Sequence, residues 1–169
     1  MNELKIFRSH KDQFFKDDPH SPLSEEQRTA FQGLDYFPED PNLKFIIRVE
    51  PFQEQDQVQI QTSTGESDSY LRYGRLNFEV EGQPAQLTVY LGRDGSAFVP
   101  FRDQTSGVET YGAGRYLEPE TLDGSKYLVD FNLAYNPWCA YSALYSCPLP
   151  PEENHLSVPI RAGEKSFPD

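Results

Sequence analysis

From Leu43 onward, apolar and polar residues alternate with a period of two. Leu43, Phe45, Ile47 and Val49 alternate with Lys44, Ile46, Arg48 and Glu50. Val58 and Ile60 alternate with three glutamines. Leu76, Phe78 and Val80 alternate with Arg75, Asn77 and Glu79, and Ala85, Leu87, Val89 and Leu91 with Gln86, Thr88 and Tyr90. Successive side chains of an extended chain point to opposite faces, so each run predicts a strand with one apolar and one more polar face. Turn residues separate the runs: Ser63-Thr64-Gly65, Glu81-Gly82 and Asp94-Gly95. The last two are hairpin signals, the Asp-Gly pair being the stronger. Ala97 to Phe101 reads as a further strand, as does Tyr127 to Phe131 after the Asp123-Gly124 turn, and Leu156 to Ile160 adds another. Short connections and alternating faces predict a mainly β, antiparallel fold, curled into a β-barrel or folded as a sandwich.

Before this region the period is close to 3.6. Leu4, Ile6, Phe7, Phe14 and Phe15 give an apolar side to a helix between Asn2 and Lys16, broken by Pro19 and Pro22. Ser24-Glu25-Glu26-Gln27 is a capping box that opens a short second helix running through Phe31. Gly33 can take the left-handed conformation that closes it. The expected organisation is one domain over residues 1–169, with a helical preface (1–33) and a β portion (43–169). A chain of 169 residues suffices for one domain and is short for two of ordinary size.

Fifteen Lys and Arg against 27 Asp and Glu give a net charge of −12. That excludes a nucleic-acid partner, which needs a cationic face, and disfavours docking on anionic membranes. Twelve Phe, ten Tyr and one Trp are too many aromatics for a disordered chain. No run of 18 apolar residues predicts a membrane span, and the N-terminus lacks the basic and apolar parts of a signal peptide. Cytoplasmic localisation is the expectation. Cys139 and Cys147 stand in a C-x7-C spacing that matches no strong zinc pattern. Two free thiols, a local disulfide and metal ligation with His155 are all open readings. Three histidines without H-x-H or H-E-x-x-H spacing indicate no catalytic zinc site. The cofactor, if any, and the oligomeric state are open.

Residues 102–116 and 132–165 are dense in polar side chains, Gly, Pro and aromatics, without a clean period. Long irregular connections of this kind are where sites are expected. Arg102 and Asp103 follow a strand end, and an Arg fork binds carboxylate or phosphate bidentately. Gly112-Ala113-Gly114 can let backbone amides approach an anion, yet neither a Walker loop nor a dinucleotide fingerprint is present. Ser106 lacks a nucleophile elbow. The candidate ligand-binding residues are Arg102, Asp103, Ser106, Tyr111, Arg115, Asn132, Tyr135, Asn136 and Trp138. Arg102, Arg115 and Tyr111 would orient a small polar or anionic molecule, while Tyr135 and Trp138 give apolar contact, in a cleft at one end of a curved sheet. A hydrolase using Asp103 or Glu109 as base is the second reading, and a structural or interaction protein without a site the third. Pro148, Pro150 and Pro151 predict an extended strap across the sheet.

Two long blocks carry a resemblance. Phe98-Val-Pro-Phe-Arg-Asp-Gln-Thr-Ser-Gly-Val-Glu-Thr-Tyr-Gly-Ala-Gly-Arg-Tyr116 is the first. The second begins Asp130-Phe-Asn-Leu-Ala-Tyr-Asn-Pro-Trp-Cys-Ala-Tyr141. It continues through Cys147-Pro-Leu-Pro-Pro-Glu-Glu-Asn-His-Leu156 and Ile160-Arg-Ala-Gly-Glu-Lys165. With Lys11-Asp-Gln-Phe-Phe15, Ser21-Pro-Leu23 and Gly33-Leu-Asp-Tyr-Phe37, the chain resembles the prokaryotic domain-of-unknown-function family DUF1684 over nearly its whole length. The resemblance implies one domain and supplies no reaction.

Overall fold

The computed structural model describes residues 2–168. Helix α1 (Glu3–Asp17) starts where the Asn2 side chain accepts the Lys5 amide. Helix α2 (Glu25–Ala30) is opened by the full Ser24/Gln27 capping box. Nine strands follow: β1 (Lys44–Arg48), β2 (Glu50–Pro51), β3 (Gln57–Gln61), β4 (Ser67–Val80), β5 (Gln83–Leu91), β6 (Ala97–Phe101), β7 (Arg115–Leu117), β8 (Glu120–Thr121) and β9 (Lys126–Asp130).

All pairings between strands are antiparallel. One sheet has the order β1-β9-β8, and the larger has the order β2-β4-β5-β6-β7 with β3 also on β4. Both turn a face to the same core: Ile47, Tyr127 and Val129 from the small sheet meet Leu76, Phe78, Leu87, Val89 and Val99 from the large one. The barrel alternative is corrected. The end strands of the large sheet do not pair with each other. Tyr116 of β7 bridges to Tyr135, and Thr62 beyond β3 bridges to Pro148.

The Glu81-Gly82 hairpin forms as the sequence predicts. Both residues have positive φ (52° and 79°), and Val80 pairs with Gln83 around them. Strand β4 reaches further towards its N-terminus than the alternation of Leu76, Phe78 and Val80 suggests. A β-bulge lies between Arg72 and Gly74. One extra residue reverses the inward and outward sense of everything before it. Tyr73 therefore packs against the core, while Tyr70 and Arg72 share the outer face with Tyr90. At Gly74, β2 passes so close that an added Cβ would lie 2.7 Å from the Glu50 carbonyl oxygen.

Two other expectations change. Leu156 to Ile160 is not a strand. It runs beside the continuation of β6, with the Leu156 amide on the Arg102 carbonyl and the Gln104 amide on the Val158 carbonyl. Pro159 lacks the N–H that a ladder requires, and the Ile160 amide turns instead to the Asp103 carboxylate (2.6 Å). In α1 the apolar stripe docks only in part, through Leu4, Phe14 and Phe15. Ile6 and Phe7 are exposed, and Phe15 alone is buried. The inward line is Leu4, Arg8, Lys11 and Phe15, in which Lys11 pairs with the buried Glu164. Among the described residues no helix is long and apolar enough to cross a membrane.

Candidate functional site

Pairing in the large sheet puts a row of aromatics on the face away from the core. Tyr90 stands opposite Phe98, and Pro100 opposite Tyr116. Tyr70, re-aimed by the bulge, stacks on Phe98 with ring centroids 5.3 Å apart. Phe98 meets Tyr116 edge to face at 4.8 Å, and Tyr116 meets Tyr135 at 5.8 Å and 88°. These contacts lie in the range favoured by aromatic quadrupoles.

The strap covers part of this row. Residues 148–154 cross the outer face from β3 to β6. The Leu149 amide bonds the Gln61 carbonyl, and Glu153 takes both Arg72 and the Tyr90 hydroxyl. Asn154 is fully buried and inserts its amide between β5 and β6. It accepts the Thr88 N–H (2.8 Å) and donates to the carbonyls of Thr88 (3.0 Å) and Pro100 (2.9 Å). Pro100 has no N–H for the ladder, and the two strands pair only at Tyr90–Phe98 and Leu91–Ala97. The asparagine side chain fills the resulting split.

Beyond the strap's edge at Pro148 the row stays open. A cleft of about 870 Å³ is lined there by Tyr70, Phe98, Tyr116 and Tyr135. Gln59, Asp68, Arg93, Glu118 and the serines 67, 69 and 96 also line it. The Tyr135 hydroxyl donates to Glu118 Oε1 (2.7 Å), and that of Tyr116 donates to the Pro148 carbonyl. Burial pushes the Tyr116 phenol far above its usual range, as does burial reinforced by the Glu118 contact for Tyr135. Both remain neutral donors at any physiological pH.

Of the nine candidate residues read from the sequence, only Tyr135 lines this cleft. The structure does not gather the others around one hollow. Arg115 is 1% exposed and lies in the interior. Its guanidinium donates to the carbonyls of Ile160 (2.8 Å), Ala162 and Glu164 (3.1 Å), and pairs with Asp103 at 3.6 Å. Asp103 also accepts from Thr105 and from the Ile160 amide, and Ser106 caps the same loop by accepting the Asp103 amide. Arg102 points the other way and is exposed, with no side-chain partner among the described residues. Asn132 exchanges hydrogen bonds with the Asp40 backbone and bonds Asp130. Asn136 bonds Tyr141 and the Lys165 carbonyl, and its amide reaches Glu164. Trp138 packs with Phe14 and Tyr145. Tyr111 lies 3.7 Å from the Cys139 sulfur.

The carboxylate-base arrangement is not assembled either. Asp103 is enclosed as above, Glu109 pairs at the surface with Arg161 (3.2 Å), and neither lines the cleft. Cys139 and Cys147 are free thiols in contact, the Cys139 amide donating to the Cys147 sulfur at 3.2 Å. Burial pushes the Cys147 thiol up to about 11. His155 bonds the Pro150 carbonyl through Nε2. Among the described residues no three His, Cys, Asp or Glu side chains are grouped to hold a metal ion.

The architecture is therefore that of an antiparallel β protein with an open, aromatic-floored cleft on the outer face of its larger sheet, beside a proline-rich strap. The chain belongs to the family described as "Protein of unknown function (DUF1684)", whose model matches residues 29–165. It is also similar to an uncharacterised protein of Haloarcula marismortui, whose structure was solved in solution by NMR. That protein is 39% identical, with a TM-score of 0.72 over 96% of this chain and 92% of the other. No curated protein matches the chain.

Proposed function

We propose that this protein is a small-molecule-binding module and that its site is the cleft over Tyr70, Phe98, Tyr116 and Tyr135. The two sheets then act as the layers of a sandwich, whose outer face rather than its end carries the ligand. The observation that supports this reading is the cleft's combination of shape and lining. Its volume of about 870 Å³ suits a small ligand, and four aromatic rings lie among convergent polar groups. Arg115, Asp103, Asn132 and Asn136 of the long loops find their partners inside the protein, which fits the work of fixing those loops.

Native mass spectrometry with a library of small metabolites tests this. Wild-type protein is expected to retain a library member that Phe98→Ala loses and Arg102→Ala keeps. Retention that depends on Arg102 and ignores Phe98 would place the site elsewhere and refute the reading.

A further inference from the structure

The charged groups of the cleft are mixed in sign. Asp68 and Glu118 face it with Arg93. An anionic ligand would meet two carboxylates, and an organic cation would meet a guanidinium. The pattern suits a molecule that carries no charge and needs donors and acceptors together. A hydroxyl has both properties. Arg93 supplies donors only, Asp68 and Glu118 supply acceptors, and Gln59 supplies both; the serine hydroxyls donate to Gln59, Gln57 and Asp94 and keep their lone pairs as acceptors. Several of these atoms are free for such use. Asp68 and Arg93 have no side-chain partner among the described residues, and Glu118 engages only Oε1, with Tyr135.

The floor adds a second requirement. Tyr70 and Phe98 are offset and stacked at 23°, and Tyr135 stands as a wall at right angles to Tyr116. A stacked pair keeps one face of each ring uncovered by the other, and such a face, negative at its centre, attracts the positively polarised hydrogens of C–H bonds. The ligand must therefore have hydroxyls around its rim and a C–H face beneath. A pyranose ring has this construction.

We infer that the cleft binds an uncharged carbohydrate, one face of a sugar ring lying on the Tyr70–Phe98 platform while its hydroxyls meet Arg93, Asp68 and Glu118. This inference rests on the reading of the cleft as a ligand site and names the ligand's class. One consequence follows from a neutral ligand. Affinity does not weaken with ionic strength, since no charge pair is screened.

The test is an amide NMR titration of the full ¹⁵N-labelled chain. The probes are glucose, galactose, N-acetylglucosamine, maltotriose and cellotriose, with glucose 6-phosphate and glucosamine as charged comparators. At least one neutral saccharide is expected to shift the amides of Tyr70, Phe98 and Glu118, with affinity unchanged on raising the salt. Phe98→Ala should weaken it by about tenfold, equivalent to about 1.4 kcal/mol, and so should Arg93→Ala. Arg93 is exposed, so that variant also covers the case in which Phe98→Ala fails to fold. The inference is overturned if no neutral saccharide moves the cleft amides. It is equally overturned if a charged comparator binds more tightly and salt weakens it; the cleft then stands as a site and only the ligand class is lost. Saccharide shifts confined to residues outside the cleft overturn both the class and the site.

Discussion

Replacing Asn154 by alanine isolates what holds the strap to the sheet. The side chain is fully buried and makes three hydrogen bonds, at 2.8, 3.0 and 2.9 Å, to the backbone of Thr88 and Pro100. A hydrogen bond contributes about 1 kcal/mol net, and leaving a buried partner unpaired costs about 1–3 kcal/mol. Three bonds thus set a floor of about 3 kcal/mol for Asn154→Ala, and the stranded Thr88 N–H and the two carbonyls raise the loss towards about 5 kcal/mol. For a chain of this size each kcal/mol lowers Tm by about 2–4 °C, so a fall of about 6–20 °C is expected. Neighbouring Glu153 is the contrast. It makes a half-exposed ion pair with Arg72, and such pairs contribute about 0–1 kcal/mol. Urea unfolding and calorimetry of the two variants supply the comparison. If Asn154→Ala lies within about 1 kcal/mol of wild type, the asparagine does not close the split between β5 and β6, and the reasoning fails.

Other outcomes follow from the same geometry. Arg115→Met should cost about 3–5 kcal/mol in urea unfolding, because it leaves the Asp103 carboxylate buried without its cation; a near-neutral effect would reopen Arg115 as a ligand residue. Cys147, buried and with its thiol raised to about 11, should resist iodoacetamide in the native protein at mildly alkaline pH and react once unfolded; peptide mapping reads the difference, and equal native and unfolded rates would contradict the burial. For Glu153, burial alone raises the carboxyl, but hydrogen bonds from Arg72 and Tyr90 and the Arg72 charge hold it below the ordinary 4.5. A depressed carboxylate stabilises the fold above its unfolded value and loses that contribution as pH falls through the folded value. The stability gap between wild type and Glu153→Gln should therefore be open at neutral pH and close in acid below 4.5; a gap that ignores pH would show that the pair does not form.

Much of the scaffold was legible because its signals are local. The alternation from Leu43 to Leu91, the Glu81-Gly82 hairpin and the Ser24 capping box each depend on neighbours within a few residues. The site was less legible because it depends on distant events. The bulge between Arg72 and Gly74 reverses Tyr70, and its one local mark is Gly74, an isolated glycine within the strand. Tyr90 reads as part of a polar face, and only the strap, more than fifty residues later, shows that the face is covered. One signal was available. Ala97 to Phe101 is apolar without alternation, the mark of a strand covered on both faces, and Phe98 lies within it. Arg115 and Asp103 misled for a physical reason: a buried ion pair and an anion site use the same residue types, and only burial separates them. The same holds for α1, whose Arg8 and Lys11 lie on the inward side while Ile6 and Phe7 face solvent.

Crystallographic screening with a library of small fragments tests the cleft most directly, since it locates binding without assuming a ligand. Fragments should collect on Tyr70, Phe98 and Tyr135 between Arg93 and Glu118. Fragments that gather instead about Arg102 and the loop from 103 to 114, leaving the aromatic floor bare, would contradict the account.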